Sequence, residues 1–298
     1  VSVIEIYRNR LPMHPLLGRH EHFDSRSKAY AVQPSATPVT SVRHRQFIGI
    51  LDQGQIGSCT GNASTSCAYH EPFWEATDLP HWKYTPDEAG ARAWYHENTI
   101  EDGYPGTWNV DGTGEDTGSD GLTSSKVAQE AGICSGYQAA LDLDSSLQAL
   151  MTAPGITGIP WYNSMFNAPS NGMLTVDMAS GLAGGHELVV DEVKAADAPG
   201  NGTGEVIVGG DNSWGGSWGF NGRWYMKASD WWALRKQQGD VYFWTPNTSP
   251  APTPVDPTDD EILWAAGKHF ARERHTLTDY RHLASALRSW GARKGFTL

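Results

Sequence analysis

The stretch LDQGQIGSCTGNASTSCAYHEPFW, residues 51–74, constrains this chain more than any other. A glycine-punctuated turn delivers Cys59. Ala63, Cys67, His70 or Glu71, and Trp74 then recur at spacings of three to four, which predicts a helix beginning at the cysteine, with Ser58 as its cap. A thiol in the first turn of a helix lies at the positive end of the backbone dipole, where unpaired N–H groups favour thiolate over thiol. Cys59 is therefore a candidate nucleophile. Gln53, upstream on the same turn, offers an amide donor to join the Cys59 N–H in holding an oxyanion. By itself, a cysteine in such a place is more often a small buried apolar residue. A catalytic reading needs an imidazole, and a third group to fix the tautomer of that imidazole.

Both occur downstream. GGHELVV sets His186 in an apolar, strand-like run, and DNSWGGSWGFNGRWYM sets Asn212 before another. In this order, QGQIGSC, GGH and NSWGGSWGFNGRWYM resemble the signature blocks of papain-like cysteine peptidases, with the nearest likeness to short bacterial and bacteriophage-type members carrying DQGxxGSCTxNA. The likeness spans roughly residues 40–245.

The resemblance implies an α+β fold of two lobes, a mainly helical half and an antiparallel, β-barrel-like half, with the active-site groove between them. It implies hydrolysis of peptide bonds through an acyl-enzyme, with Cys59 as nucleophile and His186 as the proton carrier. Asn212 would accept a ring N–H through its side-chain oxygen, Gln53 would stabilise the oxyanion, and Trp214 would cover the His–Asn hydrogen bond. It puts Gly118 and Ser119 against the substrate backbone, with Leu122 near an apolar subsite; Gly184 and Gly185 would let a bound peptide approach closely. Sulfur, ring and amide are expected to meet at a groove that solvent reaches. Asp211 stands where the family commonly has a basic residue, and Ile56 where secreted relatives place a bridging cysteine. Cys67 and Cys134 are expected as two buried thiols, with pairing left open. No cofactor or metal is implied. The aspartate-rich loop at 102–121 lacks the regular spacing and terminal Glu of an EF-hand.

Between these blocks the pattern predicts a helix over 84–98, with Ala89, Ala93 and His96 facing inward, and another over 122–133 ended by Gly132. A short helix is expected within 141–154, then a strand over 156–165. Further strands are expected at 188–190, 205–208 and 220–226, and a helix and final strand within 229–244. Residues 1–45 read as an irregular segment wrapping the domain, without room for a helical inhibitory propeptide, so either control of activity is expected from elsewhere or the chain is expected to be the mature form. Residues 46–245 form the peptidase domain and 246–258 a Pro-rich linker. Residues 259–298 read as two amphipathic helices, the first marked by Ile262, Ala265 or Ala266, and Phe270, the second by Tyr280, Leu283, Leu287 and Trp290. So short a module is expected to dock on a virion, a cell wall, a second copy or the peptidase domain.

Net charge is −12, and from Asp259 onward seven Lys/Arg stand against five Asp/Glu, so the acid is concentrated in the body. That argues against nonspecific nucleic-acid binding and leaves a peptide or protein substrate as the expected partner. No apolar run approaches ~18 residues, so no membrane span is expected, and VSVIEIYRNRLP lacks a signal-peptide pattern. Location is left unassigned, with virion association and release to the exterior both compatible. Two other readings stand beside the endopeptidase: a phage or bacterial cell-wall peptide hydrolase or amidase, and a non-catalytic virion structural or assembly protein on the same scaffold. The Asn-Ser-Trp-Gly block after the histidine favours the endopeptidase.

Overall fold

The computed structural model describes residues 5–8, 14, 16–33, 35, 37–74 and 83–247; the expected tail helices of 259–298 and nearly all of the Pro-rich linker lie outside the described residues. Helix α1, Cys59–Ala68, is buried at every position although half its residues are polar. Three of its five polar side chains are paired in the interior: Asn98 donates to the Thr60 hydroxyl at 3.2 Å, Asn62 accepts from Ser58 at 2.9 Å, and the Ser66 hydroxyl donates to Asp211 at 2.9 Å, whereas the Ser64 and Thr65 hydroxyls have no hydrogen-bond partner among the described residues. Ser58 holds the N-cap position, but its hydroxyl donates to Asn62 at 2.9 Å instead of accepting from the helix. The helix also stops short of the periodicity, because Tyr69 closes it and Pro72 cannot continue it.

Helix α2, Glu88–Glu101, crosses α1 at Gly61, where any Cβ would overlap the Ala91 carbonyl. Asp87 caps it by accepting from the Gly90 N–H at 3.0 Å. Its buried face is Ala91, Trp94, Tyr95 and Asn98, which corrects the expected Ala89, Ala93 and His96: Ala89 is exposed, and the other two are only half-buried. The two large aromatics set the orientation, since they bury far more apolar area than the alanines. Helix α3, Gly121–Glu130, begins and ends earlier than expected because Asp120 caps it, accepting from Thr123 N–H at 2.8 Å; Gly132 follows in the left-handed region at φ +73. Helices α4, Leu143–Leu150, and α5, Ala228–Gln238, complete the set.

Ten strands are described. β1 (Glu5–Arg8) and β2 (Glu21–Asp24) pair as a two-stranded ribbon. One four-stranded antiparallel sheet has the order β4 (Gly136–Ala139), β10 (Asp240–Thr245), β5 (Gly155–Tyr162), β6 (Leu182–Val190). The other has the order β3 (Val42–Arg43), β7 (Glu192–Lys194), β8 (Ile207–Asp211), β9 (Arg223–Lys227). β8 starts two residues later than expected and runs to Asp211, which delivers Asn212 at its end.

The first sheet separates two cores. Ile156, Val189, Tyr242 and Trp244 face a cluster with Ala63, Cys67, Trp94 and Leu122 of the helical half. Ile159, Trp161, Leu188 and Val190 face a second cluster with Val208, Trp224, Met226 and Trp231. Alternation along each strand produces this division, so one sheet serves both halves. Among the described residues, no helix is long and apolar enough to cross a membrane.

Candidate active site

β6 carries Gly184, Gly185, His186 and Glu187 in succession, and Asn212 directly follows the last residue of β8. His186 Nε2 lies 2.7 Å from Asn212 Oδ1, which also accepts the Ser213 N–H at 2.7 Å. Because that oxygen is an acceptor, Nε2 carries the ring proton and Nδ1 presents a lone pair. Nδ1 is buried and has no hydrogen-bond partner among the described residues. Trp214 stacks on the ring at 4.8 Å between centroids, and Trp161 meets it edge-on at 5.0 Å. Together these two indoles shield the His–Asn bond from water.

Cys59 opens α1 on the other side, with the backbone amides of Glu187 and Gly18 against its thiol. Gln53 is tied to the same region: its carbonyl oxygen accepts from the Ser213 hydroxyl at 2.6 Å, and its amide donates to Ile56 at 2.8 Å. The structure thus gathers Cys59, His186, Asn212, Gln53 and Trp214 around the junction of β6, β8 and α1.

The sulfur does not reach solvent. Cys59 and His186 are both 0% exposed, which corrects the expectation of an open groove. The cover is the chain's own N-terminal segment. Leu16 carbonyl accepts from Trp214 Nε1 at 3.1 Å, Leu17 is buried against Gly184, and Gly18 lies so close to Gly57 that a Cβ would overlap the Gly57 carbonyl. Arg19 N–H donates to the Gly185 carbonyl at 3.1 Å; His20 N–H donates to Ser119 carbonyl and Ser119 N–H to Gly18 carbonyl, each at 2.8 Å. Gly118, at φ +76, makes room for Gly18 and His20. Gly118, Ser119, Gly184 and Gly185 therefore cradle an extended peptide, and that peptide is residues 16–20. The expectation that the leading segment wraps the domain surface is corrected for residues 16–20, which lie over the sulfur. Nothing in LLGRHEHFD signals this, since its partners lie far away in the chain.

Occlusion sets the protonation. Burial pushes the Cys59 thiol up to about 12, against the amides that favour thiolate. Burial pushes His186 down to about 4, against the Asn212 hydrogen bond. In this form the proton stays on sulfur and the ring is neutral.

Two further clusters surround the site. Leu188, Val189 and Val190 continue β6 to Asp191, which with His70 and Asp211 forms a compact buried group whose ligand atoms lie within 4.8 Å of one another. Such a donor set suits a cation, and Arg223 already supplies one: its guanidinium lies 2.6 Å from Asp191, 2.7 Å from Asp211 and 3.0 Å from Glu192. Burial would raise Asp191, but Arg223 and His70 hold it below its ordinary value; burial and the neighbouring Asp191 raise Asp211. Asp211 thus serves this network, bound by Arg223, Ser66 and Gln46, and not the His186–Asn212 pair beside it. In the 102–121 loop, Asp120 caps α3 and bonds His22, and Asp116 accepts from Tyr95 and Gly57, so these acids are consumed structurally. Cys67 and Cys134 are free buried thiols.

The fold is that of the papain-like cysteine proteases. It is similar to xylellain, a cysteine protease from Xylella fastidiosa, with a TM-score of 0.59 and 18% identity over 81% of this chain and 99% of that one. It is also similar to the proform of Amb a 11, a cysteine protease and major ragweed pollen allergen, with a TM-score of 0.51 and 16% identity over 76% of this chain and 64% of that one. No protein-family model and no curated protein matches the sequence.

Proposed function

We propose that the chain hydrolyses peptide bonds with Cys59 as nucleophile. The observation that carries this reading is the 2.7 Å His186 Nε2 to Asn212 Oδ1 contact, which leaves Nδ1 as an unpaired base on a ring held by Trp214. Once the covering segment lifts and water returns, thiol and imidazole relax toward their ordinary pKa values and the proton can pass from sulfur to Nδ1. The sulfur then attacks the substrate carbonyl. The Cys59 N–H and the Gln53 amide hold the oxyanion, each worth a few kcal/mol. Collapse breaks the C–N bond, His186 gives its proton to the departing amine, and a thioester remains. Water, losing a proton to His186, attacks the thioester; acid leaves and the thiol is restored.

Labelling with an epoxysuccinyl thiol-protease inhibitor tests this. The label is expected on Cys59, slowly in the parent chain, and lost in Cys59→Ala and His186→Ala. Label on Cys67 or Cys134 in place of Cys59 overturns the assignment.

A further inference from the structure

The side chain of Arg19 leaves the covering segment and enters a buried pocket that the mechanism above does not use. The pocket is built by register: Gly158 in the middle strand β5 pairs with Glu187 of β6 on one side and Asp240 of β10 on the other. Residues directly opposed across strands share a face, so two carboxyl groups flank one residue that has no side chain. Gly158 is the only residue type that fits, because a Cβ there would overlap Arg19 Nε and crowd Asp240 Oδ1. In the space so left, the guanidinium donates to Asp240 Oδ2 at 2.5 Å and to the Gln238 carbonyl, while its Nε lies 3.9 Å from Glu187 Oε2. Neither oxygen of Glu187 has a hydrogen-bond partner among the described residues, though its side chain is 0% exposed. A buried carboxyl without a partner is costly, and it is not part of a satisfied core.

Arg19 enters this pocket one residue after Gly18, whose backbone N–H lies against the sulfur. From these contacts we infer that the Glu187–Gly158–Asp240 pocket is a specificity subsite for an arginine side chain of the substrate, and that Arg19 occupies it as an internal competitor. The planar fork of arginine can serve Asp240 and the Gln238 carbonyl at once and still turn an Nε–H toward Glu187. Lysine, with a single ammonium, cannot span the three acceptors. An aliphatic or acidic side chain would leave Glu187 with no donor and Asp240 with only the Gly158 N–H at 3.2 Å. The inference rests on the peptidase reading only for the word substrate, since the pocket itself is defined by Arg19.

The test uses full-length chain carrying Arg19→Ala, which vacates the pocket. Fluorescent hexapeptides identical except for arginine, lysine, leucine or glutamate at one position are titrated by anisotropy against Arg19→Ala/Cys59→Ala, and their cleavage is followed with Arg19→Ala. The arginine peptide is expected to bind and be cleaved roughly tenfold or more better than the leucine peptide, with the preference lost when Asp240→Asn and Glu187→Gln are added. Equal affinity for arginine and leucine peptides overturns the subsite, even if both are cleaved. Arginine-selective binding with no cleavage of any peptide leaves the subsite standing and sinks the peptidase reading. Should Arg19→Ala fail to fold, Gly18→Ala displaces the segment while keeping every charge, and the same peptide ratio decides.

Discussion

At the scale of single residues, the site is controlled by which groups burial forbids to ionise. His186 is fully buried with its pKa depressed to about 4, whereas in the unfolded chain it titrates near 6.5. Between those values the unfolded state binds more protons, so stability rises with pH across that window and is lost as pH falls through it. The loss amounts to about 3 kcal/mol by pH 4. Urea denaturation of His186→Gln against the parent should show this component removed, the two stability curves converging below pH 6.5; parallel curves from pH 7 to 4 would mean the ring is not buried neutral. Arg223 works in the opposite sense. It is the cation shared by buried Asp191, Asp211 and Glu192, so Arg223→Met should cost about 3–5 kcal/mol in the same assay, with most of the cost arising from the acids left behind. Cys59, His186 and Asn212 were legible in the sequence because each sits in a local glycine- or tryptophan-marked block. Glu187, Asp240 and Arg19 were not, because they meet only through strand register and a segment with no periodicity of its own.

At the scale of elements, the helices and most of the strands were legible from caps and alternation, and the errors have physical causes. Asp87 and Asp120 moved the starts of α2 and α3, and Trp94 with Tyr95 rotated the buried face of α2 away from the alanines. The α1–α2 crossing depends on Gly61 against Ala91, and small-to-large changes at such contacts cost about 1–3 kcal/mol, so Gly61→Ala should lower the urea midpoint accordingly. Residues 16–20 are an element of another kind, an extended strand that pairs with Ser119 and Gly185 but belongs to no sheet. Because Gly18 cannot carry a Cβ beside Gly57, Gly18→Ala should lift this strand. Thiol alkylation at pH 7.5 reads the outcome: reactivity follows the open population, so each 1.4 kcal/mol of lost cover speeds modification of Cys59 about tenfold. An unchanged rate in the folded variant would show that something other than this strand covers the sulfur.

At the scale of the whole described molecule, the same strand, with β2 that follows it, also braces the two halves. Toward the helices it offers His20 N–H to Ser119, while β2 offers His22 to Asp120 and receives Tyr104 at the Glu21 carbonyl; toward the sheets the strand offers Arg19 to Gly185 and Asp240, and its Leu16 carbonyl takes the Trp214 N–H. Leu17 completes the core on the β side. A segment that joins both cores while covering the sulfur couples that cover to stability: whatever exposes the sulfur also removes contacts from each half. The coupling is reciprocal, because any peptide that fills the groove of the folded state and not the unfolded chain must restore what was lost. A synthetic copy of residues 14–24 added to Gly18→Ala should therefore raise the melting temperature in proportion to the logarithm of its concentration. At a hundred times its dissociation constant the gain is about 2.7 kcal/mol, or several degrees for a domain of this size. The same additions should slow Cys59 alkylation in step. Protection of the thiol without any rise in melting temperature would mean that the strand is only a lid; a rise without protection would mean that it is only a brace.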